Sequence, residues 1–142
     1  MDRKGKIRMT YILDTNICIH ILRENSFNIL KHAKNKSSAS ILLSDITVAE
    51  LWHGVWMSKK VKENEQLLNN FLISFTKLPF DSAHARMFGI LKSEQQKKGK
   101  MLGPFDLQIA AQALEMDAIL ITANEKEFKQ IKDLRIENWL KP

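Results

Sequence analysis

Short apolar runs alternate with longer segments of helical periodicity along this 142-residue sequence. Five runs have the length and composition of strands, at residues 11–13, 40–44, 75–80, 118–122 and 134–137. Helical segments of ten or more residues separate the first four runs, so these strands are joined by crossover connections rather than by hairpins. The alternation predicts a three-layer α/β/α domain with a parallel sheet of four to five strands covered on both faces.

Several helix ends carry recognisable signals. Thr47 with Glu50 fits a capping box that starts one helix, and Pro104 suits the first turn of another. The helix over residues 26–36 is expected to turn Phe27, Ile29 and Leu30 inward.

The formal net charge is +6, and half of it comes from the first eight residues. Residues 1–8 contain four basic side chains against Asp2, which contributes +3 and leaves +3 for the remaining chain. Since Met9 resembles a natural start, we interpret residues 1–8 as a disordered leader or tag and residues 9–142 as a single domain. The basic charge alone is therefore only weak support for a nucleic-acid partner.

Cysteine content and hydropathy exclude several protein classes. The single cysteine, Cys18, cannot form an internal disulfide or a multi-cysteine zinc site, and its apolar helical surroundings predict a buried thiol. The apolar runs are too short to cross a membrane. We therefore expect a cytoplasmic protein without a membrane partner.

Four polar residues lie in, or just before, the first turns of helices that start at one edge of the predicted sheet: Asp14, Glu50, Asp106 and Asn124. Asp14 and Asn124 follow strands directly, and Glu50 follows the second strand after a short loop. Asp106 begins the helix that descends to the fourth strand. Each residue alone is more often a helix cap or a first-turn acid. Together they are expected at the carboxyl edge, where open parallel sheets bind ligands.

Carboxylates brought together in this way repel one another unless a cation lies among them. Oxygen ligands favour Mg²⁺ or Mn²⁺ over zinc or copper. Such a metal activates water and stabilises charge on a phosphodiester. Thr15, Asn16 and Thr122 are candidates for supporting hydrogen bonds to a phosphate or to metal-bound water, although local turn bonds would explain them equally well.

The same residues carry a family resemblance. The segments Leu13-Asp14-Thr15-Asn16, Ala49-Glu50-Leu51, Gly103-Pro104-Phe105-Asp106 and Thr122-Ala123-Asn124 with Glu127-Phe128 resemble the PIN-domain ribonucleases, and more narrowly the VapC toxins of type II toxin–antitoxin pairs. The similarity extends from about Met9 to the ending Ile136-Glu137-Asn138-Trp139. Several ordered motifs over nearly the whole chain make it specific.

The resemblance implies a metal-dependent endoribonuclease whose acids are Asp14, Glu50 and Asp106, with Mg²⁺ or Mn²⁺ as cofactor. It further implies a homodimer, inhibition of translation, and neutralisation by a cognate VapB-type antitoxin that blocks the active site. The Gly-Pro-aromatic-Asp form of the third motif implies tRNA as the RNA substrate, notably the initiator tRNA.

Asn124 departs from the family pattern, because many members carry an aspartate there. An amide orients water or offers a carbonyl oxygen, but it cannot neutralise a second metal. We therefore predict one-metal occupancy or weak affinity at a second site, and a changed metal affinity in Asn124→Asp.

Three other functions are open at this point. The absent charge at Asn124 allows an inactive or regulatory PIN-like nucleic-acid-binding module. A phosphatase of the haloacid dehalogenase type also begins with a strand-end aspartate, but it requires a second acid where this chain has Asn16. A receiver-like signalling domain would use Asp45 and would leave Asp106 without a role. Asp81 is interpreted as a helix cap, and His53 as a surface or packing residue.

Overall fold

The computed structural model describes residues 9–24, 26–100 and 102–142. The segment 1–8, interpreted above as a disordered leader, lies outside the described residues. Seven α-helices, one short 3-10 helix (Ser38–Ser40) and five strands lie in the described part of the chain. The strands are β1 (Tyr11–Leu13), β2 (Ile41–Ser44), β3 (Thr76–Leu78), β4 (Ile119–Ile121) and β5 (Arg135–Glu137). The helices are α1 (Thr15–Glu24), α2 (Phe27–Lys34), α3 (Asp45–Trp56), α4 (Val61–Ile73), α5 (Ser82–Lys97), α6 (Pro104–Glu115) and α7 (Glu125–Phe128).

All five strands form one parallel sheet in the order β3-β2-β1-β4-β5, which confirms the predicted α/β architecture. The chain adds β2 and β3 on one side of β1 and then crosses to add β4 and β5 on the other side. The direction of winding therefore reverses between β1 and β4. Such a switch point opens a crevice beyond the carboxyl ends of the strands, where ligands of open α/β sheets bind.

Alternating strand residues build two apolar cores, one on each face of the sheet. Ile12, Leu42 and Leu120 pack on one face against α5 and α6, whereas Leu13 and Leu43 pack on the other face in a core that includes residues of α1, α3 and α4. This alternation is the side-chain period of a β-strand. Helices cover both faces, so the three-layer arrangement follows directly.

The strand register fixes the level of the residues that follow. Leu13 pairs with Leu43 on one side and with Ile121 on the other. The next residues along the chain, Asp14, Ser44 and Thr122, therefore lie along the carboxyl edge, and the Asp14 N–H extends the ladder by donating to the Ile121 carbonyl at 3.0 Å.

Two local predictions are wrong. Helix α3 begins at Asp45 and not at Thr47, because the Ser44 hydroxyl accepts from the Ile46 N–H at 3.0 Å and so caps the helix earlier. Thr47 is therefore a fully buried residue within α3 and does not form a capping box with Glu50. In α2 only Ile29 is buried, whereas Phe27 and Leu30 face outward.

Other expectations are confirmed. Pro104 is the first residue of α6, and Cys18 is fully buried. Among the described residues, the structure contains no helix with the length and apolar character needed to span a bilayer.

Candidate active site

Asp14 lies at the centre of the carboxyl edge, between the end of β1 and the start of α1. Its side chain is only 3% exposed. Its Oδ1 accepts the Ile17 N–H at 2.9 Å. Burial raises the pKa of this carboxyl group, the Thr122 hydroxyl and the Ile17 N–H lower it, and the negative charge of Glu50 raises it again. Asp14 thus caps α1, as the sequence suggested, and also presents a constrained carboxylate to the crevice.

Glu50 reaches the same edge from the second turn of α3. The Thr15 hydroxyl donates to Glu50 Oε1 at 2.7 Å, and the hydroxyl oxygens of Thr15 and Thr47 are 3.2 Å apart. Because Thr15 gives its one proton to the carboxylate, Thr47 is free to donate to Thr15. This relay holds the partly exposed Glu50 side chain beside the residue that follows Asp14.

Asp106 enters from the first turn of α6, as predicted. Its pKa is raised to about 6, first by burial and then by the negative charges of Asp14, Glu50 and Glu127. Burial alone accounts for the direction of this shift, and the charges of the other acids add to it. The three acids selected from the sequence therefore lie on elements that start at the same edge of the sheet.

Asn124 lies beyond β4, at the residue before α7, and its backbone N–H donates to the Thr122 hydroxyl at 2.9 Å. Its side chain makes no capping bond to α7. Instead, the Asn124 amide nitrogen donates to Glu127 Oε2 at 2.9 Å. Glu127 was not selected as a site residue from the sequence, although it was noted in the fourth motif. Its spacing of three residues from Asn124 was the available signal.

The structure also gives the positions of three other residues considered from the sequence. Asn16 is exposed at the start of α1, and its side chain makes no hydrogen bond within the described part of the chain. Asp81 caps α5 by accepting the His84 N–H at 3.1 Å, while His84 Nδ1 accepts the Asp81 N–H, which confirms its interpretation as a cap. His53 is exposed, as expected.

The chemistry of this edge fits a divalent cation. Its donors are carboxylate oxygens, the ligands that Mg²⁺ and Mn²⁺ prefer. A buried carboxylate at Asp14 and a destabilised negative charge at Asp106 would both be relieved by a positive ion. Within residues 9–24, 26–100 and 102–142, no three His, Cys, Asp or Glu side chains already surround a common point as a metal shell would.

A groove of about 240 Å³ opens beside Glu50, between α1, α3 and α4. Its wall is largely apolar, and Arg23 and Glu50 add one charge of each sign. The lining residues include Ile19, Leu22, Leu51, Val55, Leu67 and Leu68. Gly54 lies in the α3 wall, where a Cβ atom would meet nothing within 4 Å. The groove therefore joins the acidic edge to an apolar surface.

Comparison with known proteins places this chain in a family. The family model described as PIN domain matches residues 11–134. Ribonuclease VapC2 of Haemophilus influenzae is 37% identical over 132 residues, which cover 93% of this chain and 99% of the relative. The tRNA(fMet)-specific endonuclease VapC of Shigella flexneri is 30% identical, over 92% of this chain and 98% of the relative.

Solved structures agree with the sequence comparisons. The crystal structure of DNA-bound VapBC from Salmonella typhimurium contains a chain that superposes with a TM-score of 0.88 at 30% identity, covering 92% of this chain and 98% of that one. The haloacid dehalogenase and receiver-like assignments are therefore set aside. This chain belongs to the PIN-domain family and, within it, to the VapC-type toxins.

Proposed function

We propose that this protein is a metal-dependent endoribonuclease toxin that cuts cellular RNA and inhibits translation until an antitoxin neutralises it. The observation that supports the proposal is the placement of Asp14, Glu50 and Asp106 on elements that start at the switch point of the sheet, where burial and then the negative charges of Asp14, Glu50 and Glu127 raise the pKa of Asp106 to about 6. The family relationship supports the same activity. Because the substrate and the translation machinery are cytoplasmic, we propose action in the cytoplasm.

In this proposal Asp14, Asp106 and Glu50 hold Mg²⁺ or Mn²⁺. When bound, such a cation supplies activation of water and neutralisation of charge on the scissile phosphate. Thr122 orients the Asp14 carboxylate, and Thr15 orients Glu50. The exposed Asn16 amide, two residues beyond Asp14, is assigned to contact the substrate or its water. The cation would supply the activation of water, and these side chains would position the cation and the substrate.

The proposed substrate is tRNA, with the initiator tRNA as the first candidate. The Shigella flexneri relative is named as a tRNA(fMet)-specific endonuclease, and its match covers 92% of this chain. The Gly103-Pro104-Phe105-Asp106 segment, associated above with tRNA cleavage, forms the start of α6, with Asp106 in its first turn, which supports the proposal.

The proposed partner is a VapB-type antitoxin that occupies the groove beside Glu50. The groove offers an apolar wall for the side chains of an inserted segment. Its end at Glu50 leads to the acidic edge, where a basic side chain of the antitoxin would be attracted to the carboxylates. The Salmonella typhimurium structure with this fold is a VapBC assembly, which supports a partner of this class.

We further propose a homodimer, in line with the family resemblance. Several large apolar side chains are exposed on the single chain and offer surface for association; among them are Trp56, Met57, Leu67, Ile73, Ile90 and Phe105. Light scattering of the purified protein across a concentration series tests this state. A monomer at every concentration contradicts it.

Cleavage of purified tRNA and total RNA, with Mg²⁺ or Mn²⁺ and with EDTA, tests the central proposal. We expect cleavage that requires the metal and is lost in Asp14→Ala. Cleavage that survives in EDTA or in Asp14→Ala overturns the mechanism. Failure on every RNA, with salt-sensitive RNA binding retained, would instead favour the inactive or regulatory nucleic-acid-binding module that the uncharged Asn124 suggests.

A further inference from the structure

Helices α5 and α6 form an antiparallel hairpin whose closed end lies beside the proposed metal site. At the other end, His84 Nε2 in the first turn of α5 is 3.4 Å from Oε2 of Glu115, the last residue of α6. The end of α6 leads directly into the start of β4, so the first turn of α6, with Asp106, lies at the carboxyl edge of the sheet. The last turn of α5, with Lys97, therefore lies at this edge too.

Phe105 presents an aromatic ring to solvent at the closed end. It is 50% exposed, whereas Leu102 and Leu107 on either side are buried in the core. Pro104 is the first residue of α6 and fixes its own φ near the helical value, so the backbone that carries the ring is restrained. Side chains in an α-helix lean toward its N-terminus, and Phe105 and Asp106 are consecutive residues of the first turn. The ring therefore lies at the rim of the acidic site.

Three lysines supply positive charge at the same end. Lys97, Lys98 and Lys100 are exposed, and none of their ammonium groups has a carboxylate partner among the described residues. The chain reverses at Gly99, which has a φ of 67°, and the Lys100 N–H donates to the Gln95 carbonyl at 3.1 Å. The backbone that carries the lysines is therefore fixed. Together with the exposed ring they make up the hairpin tip (Lys97, Lys98, Lys100 and Phe105).

An RNA strand that reaches the acids meets charge of its own sign. Asp14, Glu50 and Asp106 repel phosphate groups, and a bound cation offsets this repulsion only where it lies. The affinity for the strand must therefore come from groups around the acids. Lysines attract the phosphates of a nucleic acid, and an exposed aromatic ring stacks on a base. The hairpin tip offers both, and its uncompensated charges match a polyanion better than they match a purely apolar protein surface.

We propose that the hairpin tip is an RNA-contacting element in which Phe105 stacks on a base next to the bond that is cut and the three lysines hold phosphates of the same strand. The inference rests on the proposed ribonuclease function. It adds residues that act on the substrate and not on the metal. Because the ring can stack only on a base whose face is open, Phe105 contributes to the choice of the nucleotide at the cut.

Binding to two strands of equal charge tests the stacking role. One is a uridine oligonucleotide of about ten residues, and the other has the same ribose-phosphate backbone without bases. Measured by fluorescence anisotropy in EDTA, the wild type should bind the uridine strand roughly 5- to 150-fold more tightly, the range for one aromatic–base stack. Phe105→Ala should lose most of this preference. An undiminished preference in Phe105→Ala overturns the stacking role, and so does a wild type that binds neither strand or both equally.

Two further substitutions of Phe105 distinguish stacking from a general apolar contact. Phe105→Leu keeps an apolar side chain but has no ring face, so it should lose the preference as Phe105→Ala does. Phe105→Trp should keep it, because a larger ring stacks at least as well. A wild-type preference in Phe105→Leu overturns the stacking role. Thermal unfolding of each variant confirms that the fold is retained.

Phe27→Ala is the matched control for the ring. Phe27 is 76% exposed in the first turn of α2, and α2 follows the ten-residue α1, which runs about 15 Å away from the carboxyl edge. The uridine preference should therefore match the wild type. A loss in Phe27→Ala equal to that in Phe105→Ala overturns the specific role of Phe105.

The salt dependence of binding to the uridine strand tests the lysines. In Lys97→Gln/Lys100→Gln the slope of log affinity against log salt concentration should become shallower by about 1.4, twice the 0.7 expected for each phosphate contact on a single strand. Lys31→Gln/Lys34→Gln is the control, because it removes two exposed charges with the same spacing from α2. Its slope should match the wild type. Equal slopes in the two double variants overturn the phosphate contacts.

Cleavage of tRNA with Mg²⁺ separates a role in binding from an effect on the acids. Phe105→Ala should raise KM and leave kcat nearly unchanged, because the stack is present in both the ground state and the transition state. A fall in kcat at unchanged KM would mean that the substitution disturbs Asp106, and it overturns the inference. If the variant instead changes the oligomeric state or the inhibition by an antitoxin while RNA binding stays at the wild-type level, the ring covers a protein partner and the inference is wrong.

The same measurements distinguish this inference from the proposed function. A wild type that cleaves no RNA with Mg²⁺ or Mn²⁺ overturns the proposed function and this inference with it. Wild-type cleavage together with an undiminished uridine preference in Phe105→Ala overturns the inference alone.

Discussion

The Thr15 hydroxyl lies 2.7 Å from Glu50 Oε1 and joins the first turn of α1 to the second turn of α3. The two residues are 35 positions apart in sequence, and they meet because β1 and β2 are adjacent parallel strands. Each strand delivers its following helix to the same edge. A side chain at the start of one helix can therefore orient a metal-ligand candidate on the next.

Thr15→Val removes this donor while keeping a similar volume. We expect Glu50 to lose its fixed orientation and the apparent Mg²⁺ affinity in RNA cleavage to fall by about tenfold, as for other residues that orient a metal ligand. Thr15→Ser keeps the hydroxyl and should restore most of the affinity. If Thr15→Val and Thr15→Ser reduce the apparent Mg²⁺ affinity equally, the loss is caused by altered packing. RNA cleavage rates measured over a series of Mg²⁺ concentrations distinguish the two outcomes.

Asp14→Asn separates the two roles of Asp14. The asparagine oxygen can still accept the Ile17 N–H, so the cap of α1 is retained while the negative charge is removed. The rate of RNA cleavage should fall by ~100-fold or more. This loss is larger than the roughly 10- to 100-fold loss typical of residues that only support a metal's ligands. Thermal unfolding should change little.

Asp81→Asn is the control for this variant, because Asp81 also follows a strand and caps a helix through its carboxylate. It lies beyond β3, at the far edge of the sheet. We expect normal cleavage from it. Comparable losses in both variants would mean that Asp14 acts only as a cap.

Asp106→Asn should stabilise the metal-free protein at neutral pH. The folded pKa is about 6, above the ordinary value for aspartate, so between about pH 4 and pH 6 the folded state holds a proton that the unfolded state has lost. The free energy of unfolding therefore falls as the pH rises through this window, and the full penalty is present above it. Since Asp106 is only partly buried, solvent screening reduces that penalty to ~1 kcal/mol.

Urea denaturation in EDTA at pH 4 and pH 7.5 measures this effect. The variant should exceed the wild type by about 1 kcal/mol at the higher pH and match it at the lower one. Added Mg²⁺ should narrow the gap by stabilising the wild type. A difference that is the same at both pH values would exclude the charge repulsion as its cause.

The sequence was sufficient to place Asp14, Asp106 and the parallel sheet. Short apolar runs define strands, and Pro104 marks the start of the helix that carries Asp106. The sequence did not predict the start of α3 correctly, because the Ser44 hydroxyl caps the helix one turn before Thr47. Local patterns identify which residues can cap a helix. Which of two neighbouring candidates becomes the cap depends on where the preceding strand ends.

Glu127 illustrates a different limit. An acid on the surface of a short helix resembles any solvated glutamate, and its environment depends on how β4 delivers α7 to the edge. Glu127 accepts a hydrogen bond from Asn124 and its charge raises the pKa of Asp106, whereas Glu125 is paired with Lys141 and Asn138. Side-chain pairs of this kind depend on tertiary placement, which periodicity does not encode.

Gly54→Leu tests the proposed antitoxin groove. The position lies in the groove wall with open space around its Cβ position, so leucine should fit the free protein and add helix propensity to α3. In the complex the same side chain would occupy space assigned to the antitoxin. Overpacking of 1–3 kcal/mol corresponds to roughly 5- to 150-fold weaker binding.

Gly89→Leu is the matched control, because Gly89 lies within α5 with equally open surroundings and outside the groove. Inhibition by a co-expressed VapB-type antitoxin, measured relative to each variant's own uninhibited cleavage rate, should weaken only in Gly54→Leu. Equal inhibition of both variants would place the antitoxin elsewhere on the surface.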